Sequence, residues 1–327
     1  MKVGWCIPTI ETFGSVREMI EVSNVFVELG HEVTIFHPQG HKCVWLPCSA
    51  KFKKLDTLHK EQLDVLIGIV DWQPELYDLM VGHNAKIKAV CLMGFNPHDT
   101  KLASILNGKR KPRDKADRIL RDSIERGHVL LGDGGWQMDW VRERVPAAIT
   151  GPAFGGINLE MFSTAQRKNT RGPWRILHSG DGRERKGGDT VEEALTYLRI
   201  DGALLYETST YWGTIDQGEL VGKLCKGDIF LDGHRRAGWC NPVIEAMACG
   251  NAIVCTDIGA VRDFAINEKT ALVVPTSDPL AMAQAAVRLM KDTELLERLV
   301  GNGLKKVAEY DYKVVAPKLA TYFQAQL

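Results

Sequence analysis

One stretch constrains the rest of the chain: DIFLDGHRRAGWCNPVIEAMACGNAIVCTDIG, from Asp228 to Gly259. Its hydrophobic pattern changes from strand through loop and helix to strand. Ile229, Phe230 and Leu231 form a short apolar run closed by Asp232-Gly233, and a polar loop follows from His234 to Cys240. Asn241 is a helix-capping residue type and Pro242 suits the first helical position, so a helix is expected over residues 242–249, with Gly250 past its end. Ala252, Ile253, Val254 and Cys255 are apolar without alternation, the pattern of a parallel strand buried on both faces.

This order delivers a loop of small residues to a helix N-terminus. Unsatisfied N–H groups and the positive end of the helix dipole meet there, which suits an anion such as a diphosphate. Glu245 stands one turn inside that helix. It is close enough to reach a sugar hydroxyl and too acidic to favour the phosphate itself.

GWCNPVIEAMACGNAIVCTDIG resembles the donor-site signature of the retaining glycosyltransferases of the GT-B fold, family four (glycosyl transferases group 1). In that family an acidic residue begins the loop and a second follows eight positions later, E-x7-E. Glu245 stands at the second position and Ala237 at the first, so this chain departs from the pattern where the family places a group facing the donor sugar. Gly238, Trp239, Cys240, Asn241, Pro242 and the run EAMACG follow it. The resemblance implies an α/β protein of GT-B type: two Rossmann-like, doubly wound parallel-sheet domains facing across a cleft. The expected divisions are 1–155 for the acceptor, 156–309 for the nucleotide sugar, and 310–327 as a terminal helix crossing back. With 327 residues the chain is long for one domain and comfortable for two.

The N-terminal half opens with another βαβ unit. Val3 to Ile7 reads as a strand, Ser15-x-x-Glu18 as a capping box, and Val16, Met19, Ile20, Ser23, Phe26 and Val27 as one helical face before a strand at 32–36. Ligands of open α/β sheets bind beyond the carboxyl ends of strands. In the related enzymes the first such loop is glycine-rich and borders the donor, so Gly14 is a candidate donor-binding residue, with Ser15 where a second glycine is common. Runs at 64–70, 87–93 and 129–131 read as further buried strands, and 136–144 as a helix. His98, a few residues past the second run, is a candidate for positioning the sugar or acceptor.

Trp174 to His178 opens the second sheet pattern and runs into SGDGRERKGGDTVEEAL. Lys186-Gly187 match the family's lysine-glycine pair. The family arginine position beside Gly180 is Asp181, so Arg183 or Arg185 would take that role, Arg183 preferred. Breaking the glycosidic bond builds charge on the departing nucleoside diphosphate, and Lys and Arg stabilise such charge. Further elements read as a strand at 202–206, helices at 220–225 and from 261, a strand at 271–274, and helices at 279–290, 294–307 and 310–323; residues 163–173 read as a polar linker.

The resemblance therefore implies a transfer with retention, from a UDP- or GDP-sugar as co-substrate, to a glycan, lipid-linked or small-molecule acceptor, with no metal and no other cofactor. Lys186, Arg183, Glu245 and His98 would be catalytic. Gly14, Gly238, Trp239, Cys240, Asn241, Glu245 and Lys186 would hold the donor, mostly through backbone N–H groups. Arg235 and Arg236 would suit a donor or acceptor with an extra negative group.

Composition excludes little. Formal net charge is zero, so a globally basic surface is absent. From Lys101 to Arg126 there are nine Lys/Arg against four Asp/Glu, a patch that fits a solvated face, an acceptor edge, or a polyanion such as DNA. A glycosyltransferase acting on modified bases of DNA is the alternative that this patch supports. A catalytically impaired nucleotide-sugar-binding protein is the alternative that Ala237 and Asp181 support. Met1-Lys2-Val3 enters a strand directly and no apolar run reaches transmembrane length, so a cytoplasmic protein with reduced thiols is expected. Cys43 and Cys48 are a candidate metal or disulfide pair without a second pair at zinc spacing.

Overall fold

The computed structural model describes residues 1–69, 74–92, 115–167, 173–201, 206–210, 215–259 and 261–327. They form two compact units, one of residues 1–156 with 312–327 and one of residues 157–311.

The first unit is built on a seven-stranded, all-parallel sheet. Its strands are β1 (Lys2–Cys6), β2 (Glu32–His37), β3 (Lys51–Lys54), β4 (Val65–Gly68), β5 (Ile87–Cys91), β6 (Val129–Leu131) and β7 (Ile149–Thr150), in the order 3-2-1-4-5-6-7. Helix α1 (Gly14–Glu28) connects β1 to β2, and α2 (Pro74–Gly82), α3 (Lys115–Glu125) and α4 (Gly135–Arg144) follow. On one face of the sheet Phe36, Leu66, Tyr77, Met80, Val90 and Met138 share a buried cluster. The last helix, α11 (Tyr312–Gln324), returns to this unit and packs on α1.

Several sequence expectations differ here. No capping box forms at α1: the N-cap is Phe13, without a side-chain bond, and Glu18 is buried inside the helix. Strand β3, KFKK, carries no apolar signal because it is the sheet edge, where lysines discourage further pairing. Ile149 and Thr150, just ahead of the turn formers Gly151 and Pro152, form the short strand β7, paired to β6. The strands at 64–70 and 87–93 are shorter, β4 and β5.

The second unit carries a five-stranded parallel sheet of β8 (Trp174–His178), β9 (Tyr206–Thr210), β10 (Ile229–Asp232), β11 (Ala252–Thr256) and β12 (Leu272–Val274), in the order 12-11-10-8-9. Its helices are α5 (Gly188–Asp201), α6 (Gln217–Leu224), α7 (Asn241–Ala248), α8 (Val261–Phe264), α9 (Pro279–Lys291) and α10 (Thr293–Val307). Ile176, Leu195, Ile229, Val254, Met282 and Leu299 belong to its main core cluster. Of the strand expected at 202–206, residues 202–205 lie outside the described residues; β9 runs over Tyr206–Thr210, in register from Trp174–Tyr206 to His178–Thr210. It is an edge strand, and its polar sequence YETST hides it behind the preceding apolar run.

The polar stretch after Ser163 is more than a linker. It makes a turn at Thr164–Gln166, and the Arg167 guanidinium then donates to the carbonyl of Gly227 at 2.6 Å and reaches the carboxylate of Asp228 at 3.5 Å. Asp228 also holds Arg175 in a two-point ion pair of 2.9 and 3.0 Å, so it ties Arg167 and β8 to the start of β10.

Candidate functional site

Strand β8 sits where the second sheet reverses direction: its chain continues to β9 on one side, while β10 pairs on the other. The loops leaving β8 and β10 therefore stand side by side at the carboxyl ends of the strands. In open α/β sheets that switch point is where ligands bind.

The two loops are stitched together. The N–H groups of Arg235 and Arg236 both donate to the carbonyl of Arg185, at 2.9 and 3.3 Å. Gly187 adopts a left-handed conformation, φ 62°, and its backbone lies directly against that of Gly233. The Arg235 guanidinium crosses between the loops to the carbonyl of Glu184 (2.6 Å), the carboxylate of Asp189 (2.7 Å) and the hydroxyls of Thr190 and Ser277 (3.1 and 2.9 Å). Arg235 is thus a fastening for the loops. Of the two arginines expected to suit a negatively charged substrate group, the exposed one is Arg236.

Lys186 ends the single turn Glu184–Lys186 and is half-buried. Its Nζ lies 2.6 Å from Nε2 of His234, and His234 Nδ1 lies 2.7 Å from Oδ1 of Asp232. Asp232 and His234 are both buried, and the Thr256 hydroxyl donates to the His234 carbonyl. Burial pushes the Lys186 ammonium below the usual lysine range; Cys240 and Asp232 pull it back up, while Arg185 and Arg183 add to the lowering.

Asp232, His234 and Cys240 place a carboxylate oxygen, an imidazole nitrogen and a thiol within 4.8 Å of one another, all buried. These are ligand types for a soft divalent cation. Here both imidazole nitrogens already face partners, Asp232 and Lys186, and the Lys186 ammonium would oppose a second positive charge. Burial raises the Cys240 thiol well above its ordinary range, with Asp232 adding to the effect, which disfavours the thiolate that a cation would need. The donor set fits a hydrogen-bonded cluster better than a cation.

Arg183 lies beside Asp181, the residue at the family's arginine position. Its Nη2 and Nε meet the Asp181 carboxylate at 2.5 and 3.0 Å, and its backbone N–H donates to the same group at 3.0 Å. Burial works to raise the Asp181 pKa, but these bonds outweigh it and hold the carboxyl below the usual range.

Helix α7 begins at Asn241 with Pro242 in its first turn, one residue earlier than its sequence suggests. The N-cap is Cys240, which contributes no side-chain bond, so the side chain of Asn241 is not the cap. Gly238, Trp239 and Cys240 are buried immediately before it, and Glu245 is buried one turn in. The Trp239 ring packs against Phe264 and Tyr310 at 5.0 and 5.5 Å between centroids, which fixes the loop from behind.

In the first unit, Gly14 is the first residue of α1, after the loop that leaves β1. His98 lies outside the described residues, as does the basic stretch up to residue 114. The rest of that stretch is α3 and Arg126 just after it, and Arg121–Glu125 and Arg126–Asp122 form exposed ion pairs there. Cys43 and Cys48 are both free thiols, and burial pushes Cys48 up to about 11.

The sequence reading passes over Asp232 and His234. A signal exists, an Asp-x-His closing an apolar strand at the start of a glycine-bearing loop, but its meaning depends on Lys186 lying next to it.

Residues 157–292 match the family described as Glycosyl transferases group 1. A stretch of 130 residues is 34% identical to the phosphatidyl-myo-inositol mannosyltransferase of Mycobacterium leprae, covering 39% of this chain and 34% of that protein. The matched stretch thus spans about a third of the relative's length. The whole chain resembles solved structures: sucrose-phosphate synthase of Thermosynechococcus elongatus (TM-score 0.75, 15% identity, 99% of both chains) and HepE of Anabaena in complex with UDP and glucose (TM-score 0.73, 9% identity, 99% of this chain and 100% of that one). At such identities the likeness shows the fold, which is that of the GT-B glycosyltransferases.

Proposed function

We propose that this chain is a metal-independent glycosyltransferase that moves a sugar from a UDP- or GDP-sugar to an acceptor hydroxyl with retention of configuration. One observation carries the reading: within the stretch that matches Glycosyl transferases group 1, the loops after β8 and β10 meet at the switch point and place Lys186 among residues of the loop that feeds α7. The name of the mycobacterial relative supports mannose as the sugar, and the HepE complex supports UDP as the nucleotide.

In this reading the α7 N-terminus and Lys186 take the diphosphate. Charge grows on that group as the glycosidic bond breaks, and both features stabilise it without a metal. Glu245, one turn inside α7, takes a hydroxyl of the nucleotide ribose. The transition state has oxocarbenium character, as in glycoside chemistry generally. With Ala237 at the family's first acidic position, no side chain is assigned as nucleophile, and the departing phosphate oxygen assists the incoming hydroxyl on the same face.

A thermal-shift screen with UDP, GDP, ADP, CDP and dTDP and their hexose conjugates tests the reading. A nucleotide at a hundred times its dissociation constant adds about 2.7 kcal/mol of stability. A shift with UDP or GDP, followed by release of that nucleotide from its sugar conjugate, is the expected result. A shift without release under any acceptor would favour a binding protein, the reading that Ala237 and Asp181 support. No shift with any nucleotide would remove the glycosyltransferase reading.

A further inference from the structure

We infer that His234, held by Asp232, is a positioning residue that fixes the Lys186 ammonium for the diphosphate. The inference rests on the reading of Lys186 as a diphosphate ligand.

The direction of each bond follows from the groups. An ammonium has three N–H donors and no acceptor. The 2.6 Å contact therefore requires a lone pair on His234 Nε2, which places the ring proton on Nδ1. Nδ1–H then donates to Asp232 Oδ1 at 2.7 Å, a charge-assisted bond that holds both tautomer and ring orientation. The carboxylate also accepts from the His234 backbone N–H at 3.4 Å and faces the Cys240 thiol at 3.9 Å.

The reason for such an arrangement lies in the lysine. Its stem is long and rotamer-rich, and an ammonium is a point charge without the directional fork of an arginine. Fixing it before the ligand arrives removes part of the ordering cost of binding. His234 uses one Lys186 N–H bond to do this, from a ring that is itself buried and locked. The titratable groups facing Lys186 are Asp232 and Cys240 from β10 and its loop, and Arg183 and Arg185 from its own loop. Of these Asp232 is the buried carboxylate, and His234 stands between it and the ammonium, so the lysine is held without being neutralised by a direct ion pair.

The test titrates wild type, H234N, H234Q, K186M and the double variant K186M/H234N with UDP and GDP, and with uridine and guanosine as controls. Asn keeps a donor toward Asp232 but loses the acceptor at the Nε2 position; Gln restores an acceptor there. H234N is expected to weaken the diphosphate by about tenfold, the loss of one hydrogen bond to a charged group, with the nucleoside unaffected. H234Q should recover most of the loss, and H234N should change nothing further once Lys186 is gone. Equal losses in both backgrounds, or equal losses for nucleoside and diphosphate, would overturn the inference. A K186M variant that binds like wild type would instead remove the role of Lys186 itself. Nitrogen-detected NMR of the wild-type histidines gives a reading independent of any variant. A proton on Nδ1 of His234 at neutral pH is expected, and a proton on Nε2 alone would sink the proposal.

Discussion

A Cβ built on Gly187 would stand 1.7 Å from the carbonyl oxygen of Gly233. The contact is reciprocal, since a Cβ on Gly233 would stand 2.4 Å from the carbonyl oxygen of Gly187. Two loops from neighbouring strands touch here backbone to backbone. Gly187→Ala meets both the clash and a left-handed φ of 62°. The left-handed conformation alone costs a non-glycine residue about 1–2 kcal/mol. Denaturant midpoints should show a loss of at least that size, and thermal shifts by UDP and GDP should vanish. A G187A variant as stable as wild type would mean that the two backbones part easily.

Affinity for the nucleoside diphosphate should fall as pH rises, and should do so below the ordinary lysine range near 10.4. Burial first, with Arg185 and Arg183 assisting, favours the neutral amine of Lys186, so its charge is lost at lower pH than in a free lysine. The effect belongs to the ligand-free protein; a bound diphosphate stabilises the charge. Titrations of UDP and GDP from neutral to alkaline pH would show the decline in wild type and its absence in K186M.

Asp181→Asn should tighten UDP or GDP binding by several-fold. The Asp181 carboxylate faces Arg183 through Nε and Nη2 and lies in the same loop as Lys186. Its removal takes one negative charge from the neighbourhood and releases the guanidinium from that pairing. Weaker binding in D181N would show instead that the pair holds the loop in shape.

Acid should destabilise the protein through His178 and His128. Burial lowers both pKa values below 6.5; Glu192 partly offsets it at His178, and Lys88 and Arg126 add to it at His128. The unfolded chain takes up protons near 6.5, and the folded chain resists until lower pH. Stability from these groups is therefore present above 6.5 and lost as pH falls below it. The drop in denaturant midpoint between pH 7.5 and 5.5 should shrink in H178Q and in H128Q. A drop of unchanged size in both would clear these histidines.

Buried parallel strands announce themselves in the sequence because both faces are covered. The runs at β8, β10 and β11 are apolar in the sequence and buried for most of their length in the fold. The edge strands β3 and β9 do not: KFKK and YETST are polar, and neither betrays its pairing. The candidate site divides in the same way. Lys186-Gly187 and the loop into α7 carry local patterns, whereas the Lys186–His234 contact joins residues 48 apart in sequence. Only the strand order, which puts β8 beside β10, brings them together. The Asp181–Arg183 pair is local, but whether the arginine faces its neighbour or a ligand depends on side-chain geometry that spacing does not carry.

The return of α11 to the first unit has a consequence during synthesis. Residues 157–311 are one uninterrupted segment and are complete as soon as they leave the ribosome. The first unit begins earlier in the chain and finishes last, because α1 lacks its packing helix until residues 312–327 emerge. Translation at about 5–20 residues per second leaves that interval at tens of seconds at the slow end. Throughout it, the surface of α1 that later meets α11 is open, and Leu319 and Phe323 are not yet there to be buried. For this chain the later-translated segment is the earlier one able to close its fold, and the nascent first unit is the one whose apolar surface waits longer for its cover.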